Sequence, residues 1–260
     1  MTVTSREPPP AAPEREGAGE RSAIRLFVEE PLAADASLAL AHGQAHYLRN
    51  VMRRAPGDRI RLFNGRDGEW EGIIESIAPR RAAVRLGTQT AAQRPVPDVR
   101  LLFAPLKATR TRFVVEKATE LGVGAIHPVL TRHGQTTRVN VERLRAHAIE
   151  AAEQCGRLDV PSIVPPCPLA DALAAWPPER RLLVCDPAAE STAAEALGGG
   201  AGGPWAILIG PEGGFAPSER RLLADHPAAV HVRLGPCILR AETAVAAALA
   251  CWQALAGDWR

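Results

Sequence analysis

Two turns rich in glycine and proline carry the charged residues of this chain that could do chemistry. Residues 207–215 have the sequence Ile-Leu-Ile-Gly-Pro-Glu-Gly-Gly-Phe and include Glu212. Residues 234–243 have the sequence Leu-Gly-Pro-Cys-Ile-Leu-Arg-Ala-Glu-Thr and include Arg240 and Glu242. Glycine lets the backbone approach a ligand closely, a carboxylate can accept a proton, and a guanidinium can stabilise developing negative charge. The two turns together predict a small-molecule site.

A simpler interpretation of each turn is also open, because a Gly-Pro pair after a strand is often only a turn. A buried strand is predicted before each turn, however, and an alanine-rich helix after the second, which favours one shared pocket at the carboxyl ends of strands. The first turn lacks the Lys-Ser/Thr ending of a P-loop, and the chain has no dinucleotide-binding glycine motif. We therefore expect a ligand other than ATP or a dinucleotide bound in the usual manner.

The composition excludes several classes of protein. A formal net charge of +2 over 260 residues is too small for a polycationic nucleic-acid coat. The skew from lysine to arginine indicates a GC-rich coding bias, so the arginine count alone is weak evidence for RNA binding. The 5 cysteines are odd in number and form no CxxC pair, which argues against a disulfide framework and against a zinc site built on paired cysteines. The chain shows no run of membrane-spanning length and no secretory signal. We expect a cytoplasmic protein without a metal.

The periodicity of apolar residues divides the chain into three parts. Residues 1–22 are rich in Pro, Glu, Arg and Gly and predict a disordered tail. Residues 23–94 hold short alternating runs that predict a small β-barrel. Residues 95–260 alternate strands with helices, which predicts an α/β domain with a mainly parallel sheet and helices on both faces. The predicted strands are 25–28, 59–63, 69–74, 82–86, 99–106, 125–130, 181–185, 205–209 and 230–234. The predicted helices are 110–121, 140–156, 168–176, 217–225 and 241–256, with a short one within 42–53.

Other polar segments leave their alternatives open. Residues 49–66 contain six arginines and one acid, which suits RNA phosphates or, equally, a solvated face of an arginine-rich chain. Residues 107–122 predict an ordinary amphipathic helix ended by Gly122. Gln154 and Arg157 could reach RNA or a partner subunit, or only the carbonyl end of their own helix. Cys155, His127 and His147 have neither metal-ligand spacing nor a nucleophile–base arrangement.

Five of these segments occur together in an order and spacing that resemble one known family. The motifs are LIGPEGGF, LGPCILRAETA, EKATELGV, EAAEQCGR and HYLRNVMRRAPGD. The chain from about residue 23 to 257 resembles the ribosomal RNA small subunit methyltransferase E family of the SPOUT class. The resemblance implies a PUA-like RNA-binding barrel and a SPOUT domain with a C-terminal trefoil knot. It also implies a homodimer that methylates N3 of a uridine in small-subunit ribosomal RNA from S-adenosylmethionine.

The resemblance implies roles for particular residues. Those expected to bind the cofactor are Ile209, Gly210, Pro211, Glu212, Gly213, Gly214, Leu234, Gly235, Ile238, Leu239 and Thr243. Those expected to bind RNA are Arg25, Arg49, Arg53, Arg54, Lys107, Gln154 and Arg157. Arg240 is expected to steer the uracil and stabilise its anion, and Glu242 or Glu212 to orient Arg240 or take the N3 proton. No metal is expected, because the sulfonium is already the electrophile.

One position departs from the family. Cys237 stands where the family usually has an arginine, so a charge that could touch RNA or cofactor is absent there. Two alternatives to the implied function remain. A SPOUT enzyme that acts on another RNA base would have similar turns, and a non-catalytic RNA-binding assembly factor could keep the fold. The charged residues Glu212, Arg240 and Glu242 argue against the second.

Overall fold

A computed structural model describes residues 24–198 and 202–259. The predicted disordered tail, residues 1–22, lies outside the described residues. The described chain folds into two sheets, each with its own hydrophobic core. Within these ranges no helix has both the length and the apolar character needed to cross a bilayer.

The first sheet is formed by the amino-terminal part of the chain. Its strands are β1 (Arg25–Phe27), β2 (Ser37–Leu40), β3 (Arg59–Phe63), β4 (Glu69–Ala78) and β5 (Arg81–Ala91). Their spatial order is β1-β3-β4-β5-β2, with β1 parallel to β3 and the other pairs antiparallel. Between β2 and β3, helix α1 (His42–His46) continues into a π-helical turn at Tyr47–Val51. The sheet and helix enclose a core that includes Leu26, Leu48, Ile60 and Val84.

The second sheet is mainly parallel, as predicted. Its strands are β6 (Val99–Phe103), β7 (Ala125–Leu130), β8 (Ser162–Ile163), β9 (Cys167–Pro168), β10 (Arg181–Cys185), β11 (Trp205–Ile209) and β12 (Ala229–Val232). The helices are α2 (Ala108–Glu120), α3 (Val141–Cys155), α4 (Leu169–Ala174), α5 (Ala193–Leu197), α6 (Pro217–Ala224) and α7 (Ala241–Leu255). The order is β12-β10-β11-β6-β7-β8, with β9 also on β7, and every pairing is parallel.

Helices cover both faces of this sheet because successive residues of a strand point to opposite sides. In β11, Ile207 packs on one face, in a core with α2 and α7 residues such as Val114 and Val245. Leu208 points to the other face and packs with Leu223 of α6. A strand buried on both faces contains a continuous apolar run, which is why β11 was recognisable from its sequence.

The first sheet is fixed to the second domain through α3. The guanidinium of Arg25 donates Nη1 to the carbonyl of Ala152 at 2.7 Å and Nη2 to that of Arg157 at 2.7 Å. Its Nε lies 2.5 Å from Glu69 Oε2. The N–H of Phe27 donates to Glu153 Oε1 at 3.0 Å. Arg25 thereby neutralises the carbonyl end of α3, where a cation is favourable.

Candidate active site

The two predicted turns leave the same edge of the parallel sheet. Cys185, the last residue of β10, pairs with Ile209 of β11 on one side and with Val232 of β12 on the other. The first turn follows Ile209 and the second follows Val232, so the carboxyl end of β10 lies between them. Carboxyl edges of parallel strands are the usual location of ligand sites in α/β domains.

The first turn has a conformation that needs its glycines. The N–H of Gly214 donates to the carbonyl of Pro211 at 2.8 Å, and Gly214 has a φ of 68°, in the left-handed region. A Cβ added to Gly210 would lie 2.8 Å from the ring of Phe215. The backbone of this turn therefore folds tightly over an aromatic side chain that is itself buried.

Replacing Gly210 with alanine is expected to lower the free energy of unfolding by about 1–3 kcal/mol, as overpacking does elsewhere. The cause is the contact with Phe215, which cannot move away without disturbing the core under α6. Urea unfolding measures the change. Gly43→Ala is the matched control, since a Cβ there meets nothing within 4 Å and Gly43 lies in α1. Equal stability of Gly210→Ala and wild type would contradict the tight packing.

The second turn forms one wall of a narrow cleft. The lining residues come from the end of β10, the second turn and α7: Cys185, Asp186, Pro187, Leu234, Gly235, Cys237, Leu239 and Ala244. Gly235 has a φ of 141°, which favours glycine, and Ile238 is 85% exposed. The walls are mostly apolar and backbone. Such a lining suits an uncharged ring or an aliphatic group.

A charged cluster joins the two turns. Arg110, in the first turn of α2, contacts Glu212 Oε1 through Nη1, and the same nitrogen lies 3.7 Å from Glu242 Oε2. Gln135 donates Nε2 to Glu212 Oε2 at 2.6 Å and accepts from Arg110 Nη2 at 2.9 Å. Glu212 and Glu242 are therefore held close together by one guanidinium placed between them.

The two carboxylates have different surroundings. The hydrogen bond from Arg110 is the main cause that lowers the pKa of Glu212, and the same bond raises the pKa of Arg110. Both oxygens of Glu212 are engaged. Glu242 Oε2 is buried and has no hydrogen-bond partner among the described residues. Glu242 Oε2 thus keeps hydrogen-bonding capacity beyond its ion pair with Arg110, whereas the lowered pKa of Glu212 makes that carboxylate a weak base.

Arg240 lies at the start of α7, beside this cluster. It is the N-cap residue, its side chain makes no capping bond, and it is exposed. Its charge contributes to the lowered pKa of Glu212. Thr243 is also exposed, in the first turn of α7. The arrangement leaves an exposed guanidinium able to meet an incoming anion near Glu242.

The loop after β7 packs against the first turn. His133 Nδ1 lies 3.2 Å from the carbonyl of Gly213 and 3.1 Å from that of Gly214. The N–H of Arg132 donates to Glu219 Oε1 of α6 at 2.8 Å. This loop supports the turn from outside and brings Gln135 to Glu212.

Several residues of this site were not predicted from the sequence. Arg110 and Gln135 were not singled out, and neither was the segment from Cys185 to Pro187. Each follows the carboxyl end of a parallel strand: β6, β7 and β10 respectively. That position was the available signal, because neighbouring parallel strands end at one edge.

The residues predicted to bind RNA divide into two groups. Arg49, Arg53, Lys107 and Gln154 are exposed, and Arg54 is half-buried with Nη1 3.9 Å from Asp58. Arg25 and Arg157 are instead engaged within the chain, with side chains 11% and 9% exposed. Arg157 donates to the carbonyls of Thr119 and Val123 and pairs with Asp159 at 2.8 Å. These contacts give Arg25 and Arg157 a structural role at the junction.

Comparison with known proteins decides the family. The RNA methyltransferase domain family matches residues 92–253, and the RNA methyltransferase PUA domain family matches residues 42–87. A relative from Rickettsia conorii, ribosomal RNA small subunit methyltransferase E, is 33% identical over 230 residues, which are 87% of this chain and 93% of the relative. The chain belongs to the ribosomal RNA small subunit methyltransferase E family.

Other members of the methyltransferase E family agree with this assignment. The Synechocystis sp. member is 30% identical over 88% of this chain and 76% of its own length. The solved Neisseria gonorrhoeae member, bound to S-adenosyl methionine, has a TM-score of 0.82 and 27% identity, covering 92% of this chain and all of that one. The predicted family and fold class are confirmed, and the protein is an RNA methyltransferase.

Proposed function

We propose that this protein transfers a methyl group from S-adenosylmethionine to N3 of one uridine in small-subunit ribosomal RNA. The observation that carries the proposal is the Glu212–Arg110–Glu242 cluster, with Arg240 beside it, at the same edge of the sheet as the apolar cleft. The family of the chain supplies the substrate class. In support, the Neisseria gonorrhoeae member was solved with S-adenosyl methionine bound.

The cleft fits the chemistry of such a cofactor. Leu234, Leu239 and Ala244 offer apolar contact, and Gly235 leaves the backbone open to a hydrogen-bonding edge. The first amides of α7 have no partner within the helix, and they favour a negative group. When bound, the cofactor supplies an electrophilic methyl group on a positively charged sulfur. The other residues proposed to contact the cofactor are those of the first turn, Ile209 to Gly214, together with Ile238 and Thr243.

Uridine N3 carries a proton and becomes nucleophilic only when that proton leaves. In our proposal Glu242 accepts it, directly or through water, because its Oε2 is buried and has no hydrogen-bond partner among the described residues. Glu212 is not the proton acceptor in this proposal, because Arg110 and Gln135 bind both its oxygens and lower its pKa. Arg240 stabilises the uracil anion, and Arg110 keeps the two carboxylates in place.

RNA recognition is proposed for the exposed arginines of the first domain. Arg49 is exposed within the π-helical turn, Arg53 is exposed just after it, and Arg54 is partly exposed beside them. They would hold phosphates, while the target uridine leaves its stack to present N3. Arg25 and Arg157 are omitted from this surface because their donors are taken by carbonyls and carboxylates of the chain.

We also propose that the protein is a cytoplasmic homodimer and that each active site is completed near the interface between the two subunits. Ile238 supports it, since an apolar side chain 85% exposed beside the cleft is well placed for a partner to cover. Sedimentation analysis of the protein tests the dimer. The trefoil knot around α7 stays a prediction of the family resemblance.

The proposed function is tested with the unaltered protein. Calorimetry should show binding of S-adenosylmethionine, and small subunits from a strain that lacks this gene should gain one methyl group. Mass spectrometry of the digested ribosomal RNA should then place the methyl on N3 of a uridine. A methyl group on another base would show a different specificity. Absence of cofactor binding would favour a non-catalytic assembly factor.

A further inference from the structure

A groove lies between the amino-terminal ends of α2 and α3, next to the candidate active site. Its volume is about 350 Å³. One side is formed by Lys107 and Ala108 at the start of α2, and the other by Arg143 and His147 of α3. Thr136 and Arg138 to Asn140, in the segment that leads into α3, also line it. We refer to it as the α2–α3 groove.

The charges that line the α2–α3 groove are almost entirely positive. Lys107, Arg138 and Arg143 line it and are exposed, and no carboxylate residue of the described chain lines it. Among the described residues, none of these three side chains forms an ion pair. Arg112 also lines the groove, but Glu116 lies 2.5 Å from its Nε and Glu150 lies 3.5 Å from its Nη2. The excess charge therefore belongs to Lys107, Arg138 and Arg143.

The two helices add to this positive potential. Lys107 is the N-cap of α2, a helix of 13 residues, and Asn140 is the N-cap of α3, a helix of 15 residues. The side chain of Asn140 accepts from the N–H of Arg143 at 2.9 Å. The amino-terminal residues of both helices thus line the groove, where the positive ends of the helix dipoles favour an anion. An anion in the groove would meet two dipoles and three cations.

The groove and the active site share a segment of chain. Gln135 contacts Glu212, and the next residue, Thr136, already lines the groove. On α2, Arg110 contacts Glu212, and Lys107 lies one helical turn before it. A polyanion bound in the groove would therefore continue directly to the Glu212–Arg110–Glu242 cluster.

We propose that the α2–α3 groove binds phosphodiester groups of the substrate RNA that flank the target nucleotide. The inference deepens the proposed function and rests on it. Three exposed cations and two helix amino termini match the charge of phosphates, and the shared segment places those phosphates beside the reacting base. The arginines of the first domain would hold a more distant part of the RNA strand. The groove would therefore fix which nucleotide enters the active site.

The test compares the double variant Arg138→Ala/Arg143→Ala with the control Arg221→Ala, an exposed arginine on α6. Affinity for unmodified small-subunit ribosomal RNA, made by transcription, is measured over a range of salt concentrations. The double variant is expected to bind about tenfold more weakly, with a salt slope smaller by about 0.7 for each phosphate that the protein no longer neutralises. Its affinity for S-adenosylmethionine should equal that of wild type, which also reports intact folding. Arg143→Lys should keep most of the RNA affinity.

Four results would contradict the proposal that the groove binds RNA phosphates. Unchanged RNA affinity and salt slope in the double variant would overturn the proposal, provided that wild type methylates small subunits. An equal loss in Arg221→Ala would also overturn it, because the effect would then follow net charge alone. Weaker cofactor binding in the double variant would assign the groove to the cofactor instead. Failure of wild type to methylate any RNA would overturn the proposed function and the groove with it.

Discussion

Replacement of Arg240 by alanine is expected to lower the rate of methyl transfer by about 10²- to 10³-fold, the usual cost of removing one preorganised anion-stabilising donor. Cofactor binding should survive, because the cleft is lined by the backbone and apolar side chains of other residues. The fold should survive as well, since the side chain of Arg240 makes no capping bond to α7. The variant therefore separates chemistry from binding.

The measurement pairs single-turnover methylation of unmodified small subunits with a calorimetric titration of S-adenosylmethionine. Arg240→Lys is the informative companion, because an ammonium keeps the charge but loses the planar fork of donors. It should recover part of the rate. Arg221→Ala serves as the control for the removal of a surface charge. A rate equal to wild type in Arg240→Ala would remove Arg240 from the mechanism, as would a cofactor affinity that falls in proportion to the rate.

The sequence predicts those parts of the site that are encoded locally. The first turn was found because an apolar strand, β11, is followed at once by glycines and proline. The second was found in the same way after β12. Arg110 was missed because its partner Glu212 lies 102 residues away, and no local pattern reports a contact of that range. The contact between Arg110 and Glu212 is set by the topology of the sheet, in which β11 lies between β6 and β10.

Long-range contacts, which no local pattern reports, also determine which of the predicted RNA-binding arginines are exposed. Arg25 and Arg49 look alike in sequence, yet the guanidinium of Arg25 is largely covered and bound to the carbonyl end of α3, whereas Arg49 is exposed. Whether an arginine is available to RNA depends on packing between domains.

Short secondary-structure elements were not predicted for another reason. The two residues of β8 and of β9 are too few to show periodicity. Helix α5 was missed although Thr192 and Glu195 form a capping box.

Replacement of Arg110 by alanine is expected to lower methyl transfer by about 10²-fold, because small displacements of catalytic groups cost that much. Without Arg110, Glu212 and Glu242 would face each other with no cation between them. The pKa of Glu212 should then rise, since the hydrogen bond from Arg110 is the main cause that lowers it. Cofactor affinity should change little, because Arg110 does not line the cleft.

The pH dependence distinguishes this positioning role from a general loss of structure. In wild type Glu212 has a lowered pKa, so its contribution to stability is fully present above the unfolded pKa and is lost progressively as pH falls from that value through the lower folded pKa. In Arg110→Ala the folded pKa moves back toward the unfolded one, so this contribution shrinks and the free energy of unfolding should fall less steeply on acidification. Thermal unfolding between about pH 3 and pH 8 measures the difference.

Lys117→Ala is the matched control, because Lys117 also lies on α2 and also pairs with a glutamate, Glu120, at 2.8 Å. It should leave the rate and the pH profile unchanged. Arg110→Lys should restore only part of the rate, since one ammonium cannot bind Glu212 and Gln135 with the geometry of a guanidinium. In a Glu212→Gln background the further cost of Arg110→Ala should fall, because the main partner is already neutral. Additive costs in that double variant would show that Arg110 does not act through Glu212.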